Sequence, residues 1–196
     1  VGLKSTLIRL DADIEEAALI SAVEQLNNDA DVDGILVQLP LPKHISDERV
    51  IMAIDPSKDV DGFHPINIGK MNIGEDCFLP ATPYGVLLLL QHFQIETNGK
   101  HAVVLGRSNI VGTPMSILLS RNNAIGNCTV TICHSRTKNI QQFTQAADII
   151  IAAIGIPHFL TQEMIKNDVV IIDVGINQIE APEKKSGYRL VGDADR

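Results

Sequence analysis

From Lys100 onward, short apolar strand-like runs alternate with helical patterns, and this rhythm constrains the fold more than any other feature of the chain. Strand patterns occupy Ala102–Leu105, Thr129–Cys133, Asp148–Ile154 and Val169–Val174. Helical patterns fall between them at 114–122, 139–146 and 161–166. Such alternation predicts an α/β fold: a parallel sheet with helices on both faces.

The first half reads differently. A helix is expected over 13–27, with Asp13 as cap, Glu16 three residues later, and Leu19, Val23 and Leu26 on one face. Val32–Leu39 reads as a buried strand ended by Pro40-Leu41-Pro42. Ser46 caps a second helix carrying Val50, Ile51 and Ile54, and Asp55-Pro56 stops it. Lys58 to Gly74 is polar and glycine-rich and reads as a loop crossing between domains. The next helix is expected from Pro83 with Thr82 as cap, and its Val86–Leu90 run, apolar all round, should be buried. Two domains are therefore expected, 1–65 and 66–196, the first an α/β unit and the second the repeating βα unit.

Composition narrows the function. The net charge is −8, and there is no Trp, with two Tyr and five Phe. A nucleic-acid binder wants a basic stripe and aromatic platforms, so no nucleic-acid partner is expected. The apolar runs fall far short of the roughly 20 residues that span a bilayer, so no membrane partner is expected either. Cys77, Cys128 and Cys133 match no disulfide or zinc spacing, and no targeting motif is visible, which points to the cytoplasm. No metal is expected: Asp59-x-Asp61-x-x-His64 fits no strong ligand motif.

Strand 102–105 runs into Gly106-Arg107-Ser108-Asn109-Ile110-Val111-Gly112. A glycine at a strand end lets backbone approach a phosphate, and the following helix N-terminus offers free N–H groups. A Gly-x5-Gly turn is not the usual G-x-G-x-x-G and can also be purely structural; its place between strand and helix is what favours a nucleotide. The second strand ends in His134-Ser135-Arg136-Thr137 with no carboxylate for ribose hydroxyls. Arg136, with Arg107 across the cleft, suits a 2′-phosphate, so NADP is expected over NAD; otherwise Arg136 is a solvated loop residue. The third and fourth strand ends offer Ala153, Gly155 and Ile176 for the nicotinamide side, unless these residues only make turns.

Two segments are not explained by packing: Gly34–Pro42, with Gln38 in an apolar strand, and Lys58–Pro65, with Asp59 and Asp61 in a turn. A buried amide without partners costs about 1–3 kcal/mol. With Thr82-Pro83-Tyr84-Gly85, Gly106–Pro114, Asp173–Asn177 and Val191-Gly192-Asp193, these motifs make the chain closely resemble, over essentially its whole length, the bifunctional methylenetetrahydrofolate dehydrogenase/methenyltetrahydrofolate cyclohydrolase family.

The resemblance implies a small folate-binding α/β domain followed by a Rossmann-type NADP-binding domain, usually as a homodimer, in one-carbon metabolism and purine biosynthesis. It implies oxidation of 5,10-methylenetetrahydrofolate with NADP and hydrolysis of the product to 10-formyltetrahydrofolate in one cleft. Gln38 matches the family glutamine that bonds the catalytic lysine, and Asp61 the aspartate that binds the pterin. Val37, Leu39 and Pro40 complete the tetrahydrofolate set. The cofactor set is Thr82, Gly106, Arg107, Ser108, Ile110, His134, Ser135, Arg136, Ala153, Gly155 and Ile176. The family's Tyr-x-x-x-Lys pair is expected upstream of Val1, and a Pro- and Gly-rich closing segment after Arg196. The competing expectations are a relative with one of the two activities, and a non-catalytic NADP-binding fragment.

Overall fold

The computed structural model describes residues 2–195. In the first unit, α1 (Glu16–Asn28) packs on α2 (Asp47–Ala53). Leu19, Val23, Ile35, Ile45, Val50 and Ile54 form their shared core. Ser46 caps α2 as expected, its hydroxyl accepting the Arg49 N–H. Asp13 does not cap α1, which starts at Glu16 with no side-chain cap. The Glu16 carboxylate, expected to complete a capping box, instead accepts the Ser46 N–H at 2.8 Å and pairs with Arg49.

The strand expected at 32–39 is reduced to one parallel bridge, Ile35 to Asp59. Ile35 N–H donates to Lys58 at 2.7 Å, and among the described residues no further pairing extends the ladder toward the cis Leu39–Pro40 bond. The loop expected over 58–74 contains a helix, α3 (Pro65–Ile73). His64 Nδ1 accepts the Ile66 N–H, Pro65 takes the first helical position, and Gly74 closes the end at φ +85°. Asn67 and Met71, one turn apart, are its buried residues, and Ile68 packs partly buried against the same core.

The second unit matches the alternation closely. Helix α4 (Ala81–His92) precedes β1 (His101–Leu105), α5 (Gly112–Ser120), β2 (Thr129–Cys133), α6 (Ile140–Ala146), β3 (Ile149–Ala152) and β4 (Val170–Asp173). The four strands form a parallel sheet in the order β2-β1-β3-β4. Side chains alternate between its faces. Ala102, Val104, Ile149 and Ile151 pack with Met71, α4 and α5; Val103, Leu105 and Ile150 pack with Phe143, Ala147 and Leu160.

Three expectations change here. Helix α4 begins at Ala81, with Pro80 accepting the Tyr84 N–H, so Thr82 lies inside the first turn and caps nothing. Only one face of its apolar run is buried, since Leu88 and Leu89 stay 45% and 47% exposed. The helix expected at 161–166 is a single 3-10 turn, Gln162–Met164, because Thr161 bonds Glu163 and Lys166 is drawn to Asp148. After β4, β5 (Asn177–Glu180) and β6 (Tyr188–Val191) pair as an antiparallel hairpin, with Lys184 and Lys185 in its exposed turn. Among the described residues, no helix is long and apolar enough to cross a membrane.

Candidate functional site

The four parallel strands end level. Leu105 registers with Cys133 and with Ala152, and Ala152 with Asp173. The chain builds outward from β1 to β2, then returns to place β3 on the other side, so β1 and β3 flank the switch point where ligands enter such sheets. The loops bearing Arg107, Arg136, Ala153 and Ile176 therefore share one edge.

At β1 the backbone leaves through Gly106 at φ +117°. A Cβ there would strike the Ala153 carbonyl, and one at Gly112 would strike the Gly106 carbonyl. The two glycines let the loop fold onto its own backbone. Ser108 Oγ accepts the N–H groups of Val111 (3.2 Å) and Gly112 (3.4 Å). The N–H groups of Arg107, Ser108, Asn109 and Ile110 find no acceptor among the described residues, and all four residues are exposed. Four successive free donors ahead of a helix N-terminus fit a phosphate group.

After β2, His134 and Thr137 close a tight turn. The His134 N–H donates to Thr137 Oγ1 (2.9 Å) and the Thr137 N–H to the His134 carbonyl (2.8 Å). His134 Nδ1 accepts the Arg136 N–H at 3.1 Å, so the ring orders the turn while Ser135 and Arg136 stand exposed at its tip. Because β1 and β2 are neighbours, Arg107 and Arg136 rise from adjacent strand ends. This cationic corner suits an anion in a chain of net charge −8. Ile176 is 79% exposed, and Gly155 sits at φ +73° with open space around it.

The Lys58–Pro65 segment is densely employed. Lys58 Nζ donates to the carbonyls of Leu26, Asn27 and Asp29 at 3.1, 2.8 and 2.7 Å, closing the C-terminal end of α1. Asp59, almost fully buried, accepts the His64 N–H (2.8 Å) and the Asn67 amide (2.9 Å). Gly62, at φ +67°, lies against the Phe78 and Leu79 backbone just ahead of α4, which brings the turn close to the segment bearing Thr82. Asp61 alone among the charged residues of the segment has no hydrogen-bond or ion-pair partner among the described residues. Burial, and then the negative charge of Asp59, push its carboxyl above the ordinary aspartate value.

Gln38 is not the buried amide its strand setting suggested. It is exposed and bonds the adjacent Leu39 carbonyl at 3.1 Å, because the ladder that would have enclosed it is a single bridge. That bridge still holds the Gly34–Ile35 end of the segment against Lys58–Val60. Val37 and Gln38 line a groove of about 260 Å3 with Ile14, Leu26 and Leu41. A larger depression of about 530 Å3, near Asp55, Lys70 and Cys77, includes none of the predicted site residues. The cysteines are poor nucleophiles: burial raises all three thiols, Cys128 to about 11 with help from Asp148.

Asp173 and Asp193 entered the sequence reading only within the motifs Asp173–Asn177 and Val191-Gly192-Asp193, and neither was a candidate site residue. Asp193 is fully buried and accepts the N–H groups of Ile154 (2.7 Å) and Gly155 (3.0 Å) at the end of β3. Of the two, only Asp173 carries a local signal, as a carboxylate at the end of an apolar strand run.

Comparison with known proteins follows the same division of the chain. The family model for the tetrahydrofolate dehydrogenase/cyclohydrolase catalytic domain matches residues 1–61, and that for its NAD(P)-binding domain residues 80–196. The bifunctional protein FolD of Chlorobium phaeobacteroides (strain BS1) is 58% identical over 197 residues, covering 100% of this chain and 66% of that protein. That of Bacteroides thetaiotaomicron is 56% identical over 192 residues, covering 98% and 66%. The crystal structure of the bifunctional enzyme FolD from Campylobacter jejuni superposes with a TM-score of 0.91 at 45% identity, covering 99% of this chain and 66% of that one. The Trypanosoma brucei enzyme, complexed with NADP and inhibitor, gives 0.86 at 38% identity, covering 93% and 62%. The chain thus spans about two thirds of the length of these relatives.

Proposed function

The chain belongs to the tetrahydrofolate dehydrogenase/cyclohydrolase family, and we propose that it takes part in both family reactions: oxidation of 5,10-methylenetetrahydrofolate with NADP, and hydrolysis of the methenyl product to 10-formyltetrahydrofolate. Residues 1–65 serve the folate and 66–196 the cofactor. The observation that carries this reading is Asp61, a half-buried carboxylate held without a partner while Lys58, Asp59 and His64 around it are all structurally engaged. The pterin edge presents parallel N–H donors, and a carboxylate can accept two of them.

The free amides of Arg107–Ile110 hold the cofactor's phosphates, and Arg107, Ser135 and Arg136 hold its 2′-phosphate. NADP, when bound, supplies the hydride acceptor. Hydride transfer needs no acid or base from the chain; it needs the methylene carbon and the nicotinamide held in near-attack geometry. Ala153, Gly155 and Ile176 shape the nicotinamide side. The hydrolytic step needs proton transfers, for which Gln38 orients the lysine of the family's Tyr-x-x-x-Lys pair. The reading includes a cytoplasmic homodimer; the outward row Tyr84, Leu88 and Leu89 on α4 supports a protein contact.

The full-length protein, given methylenetetrahydrofolate and NADP, should produce NADPH absorbance and then lose the methenyl chromophore. Appearance of the first signal without the second marks a dehydrogenase alone. Asp61→Ala should abolish both, and full activity in that variant removes Asp61 from the site.

A further inference from the structure

Asp193 stands behind the proposed nicotinamide rim. Its Oδ2 accepts the Ile154 and Gly155 N–H groups, and its Oδ1 accepts the Asn177 side-chain amide at 2.8 Å. Asp173 works alongside. Its Oδ1 accepts the N–H groups of Gly175 and Asp193, and its Oδ2 that of Ala194, each at 3.0 Å. Six N–H donors thus converge on two carboxylates, and among the described residues no lysine, arginine or histidine pairs with either. A Cβ at Gly175 would strike the Asp193 carboxylate, and one at Gly192 that of Asp173, so backbone closes tightly around both.

Packing alone does not call for this arrangement. A buried carboxylate is costly unless fully bonded, and a well-packed apolar residue fills the same space more cheaply. What the carboxylate achieves is a join. Gly155 belongs to the loop after β3, and Ile176 to the segment after β4, flanked by Gly175 and Asn177, both of which are tied to this pair. Ile176 has little packing of its own, and Gly155 has open space around it. Their separation is therefore set by the bonds behind them.

We propose that Asp193, backed by Asp173, is a positioning residue that fixes the gap between the Gly155 and Ile176 edges of the slot for the nicotinamide ring. This rests on the NADP reading given above. It touches no reacting atom; it acts through the two loops it joins, so its influence falls on the nicotinamide half of the cofactor and not on the phosphate corner at Arg107 and Arg136.

Calorimetric titration of the full-length protein with NADP and with adenosine 2′,5′-bisphosphate, which lacks the nicotinamide, separates these halves. Asp193→Asn should weaken NADP at least tenfold and the bisphosphate less than twofold. The swap Asp193→Asn with Asn177→Asp, which restores the bond with donor and acceptor exchanged, should recover NADP binding to within about threefold of the original. An NADP affinity unchanged in Asp193→Asn, or an equal loss for both probes, overturns the proposal. Should Asp193→Asn not fold, Asn177→Ala removes only the tie to Asp193, and the same comparison decides. A parent protein that binds neither probe defeats the NADP reading itself, an outcome distinct from failure of the positioning role.

Discussion

The buried carboxylate of Asp59 accepts a 2.9 Å hydrogen bond from the side-chain amide of Asn67, while Asp61, two residues further on, accepts none from any described residue. The two aspartates of one motif therefore do different work. Asp59→Ala removes the acceptor of the His64 N–H at the start of α3 and of one N–H of the Asn67 amide, whose Nδ2 keeps its 2.9 Å bond to the Pro56 carbonyl, at about 1–3 kcal/mol for each buried donor left without an acceptor. Asp61→Ala should change stability by no more than about 0.5 kcal/mol while removing folate binding. Urea melts and folate titrations of the two variants check this. Equal destabilisation by both would end the distinction.

The raised carboxyl of Asp61 gives a signed pH dependence. Burial and the charge of Asp59 disfavour its ionised form in the folded chain. A folded value above the unfolded one means that the ionised group costs stability as pH rises through the folded value. Asp61→Asn should therefore melt at an equal or higher temperature than the parent at pH 7, and the difference should close as pH falls below the ordinary aspartate range. Folate binding runs the other way. It requires the ionised form, so it should fail on acidification at a higher pH than an unperturbed aspartate would give. Melting curves and folate titrations from pH 7 down to pH 4 test both signs.

The sheet was legible in the chain because its strands are short, apolar and separated by helical patterns, so period alone marked them. Thr129–Cys133 carries identical bounds in sequence and structure. The phosphate turn was legible for the same reason, since Gly106 lies at a strand end. What was hidden depended on partners distant in sequence. Lys58 reads only as the start of a polar loop until α1 ends beside it. Glu16 reads as half of a capping box until Ser46 and Arg49 take its carboxylate. His64, an uncommon cap, started a helix where glycine and polar residues suggested a loop. Asp193 is tied to Ile154, 39 residues away, and no local pattern carries that information.

Two glycines at the same rim should respond differently to a methyl group. At Gly106 a Cβ meets the Ala153 carbonyl, backbone that cannot swing away, on top of a φ of +117°. At Gly155 the φ is +73° and the space is open. Gly155→Ala should cost about 1–2 kcal/mol, the left-handed penalty alone. Gly106→Ala should exceed it clearly and displace β1 from β3 at the switch point, with loss of NADP affinity. Thermal melts of the two variants, read beside NADP titrations, check the order. A smaller loss for Gly106→Ala would mean that the loop yields and that the tight approach to Ala153 is not what shapes it.

Ser135 tests the choice of cofactor. It sits at the tip of the turn closed by His134 and Thr137, beside Arg136 and one strand from Arg107. A carboxylate at this point repels a 2′-phosphate and instead offers acceptors to ribose hydroxyls. Ser135→Asp should therefore weaken NADP by about 1–3 kcal/mol, roughly 10- to 100-fold, with NAD affinity unchanged or improved. The turn is exposed and its closing bonds come from His134 and Thr137, so the melting temperature should stay put and a binding change cannot be blamed on unfolding. Calorimetric titration with each dinucleotide gives the ratio directly. Equal losses for NADP and NAD would show that the phosphate corner lies elsewhere, and that Arg107 and Arg136 are solvated bystanders.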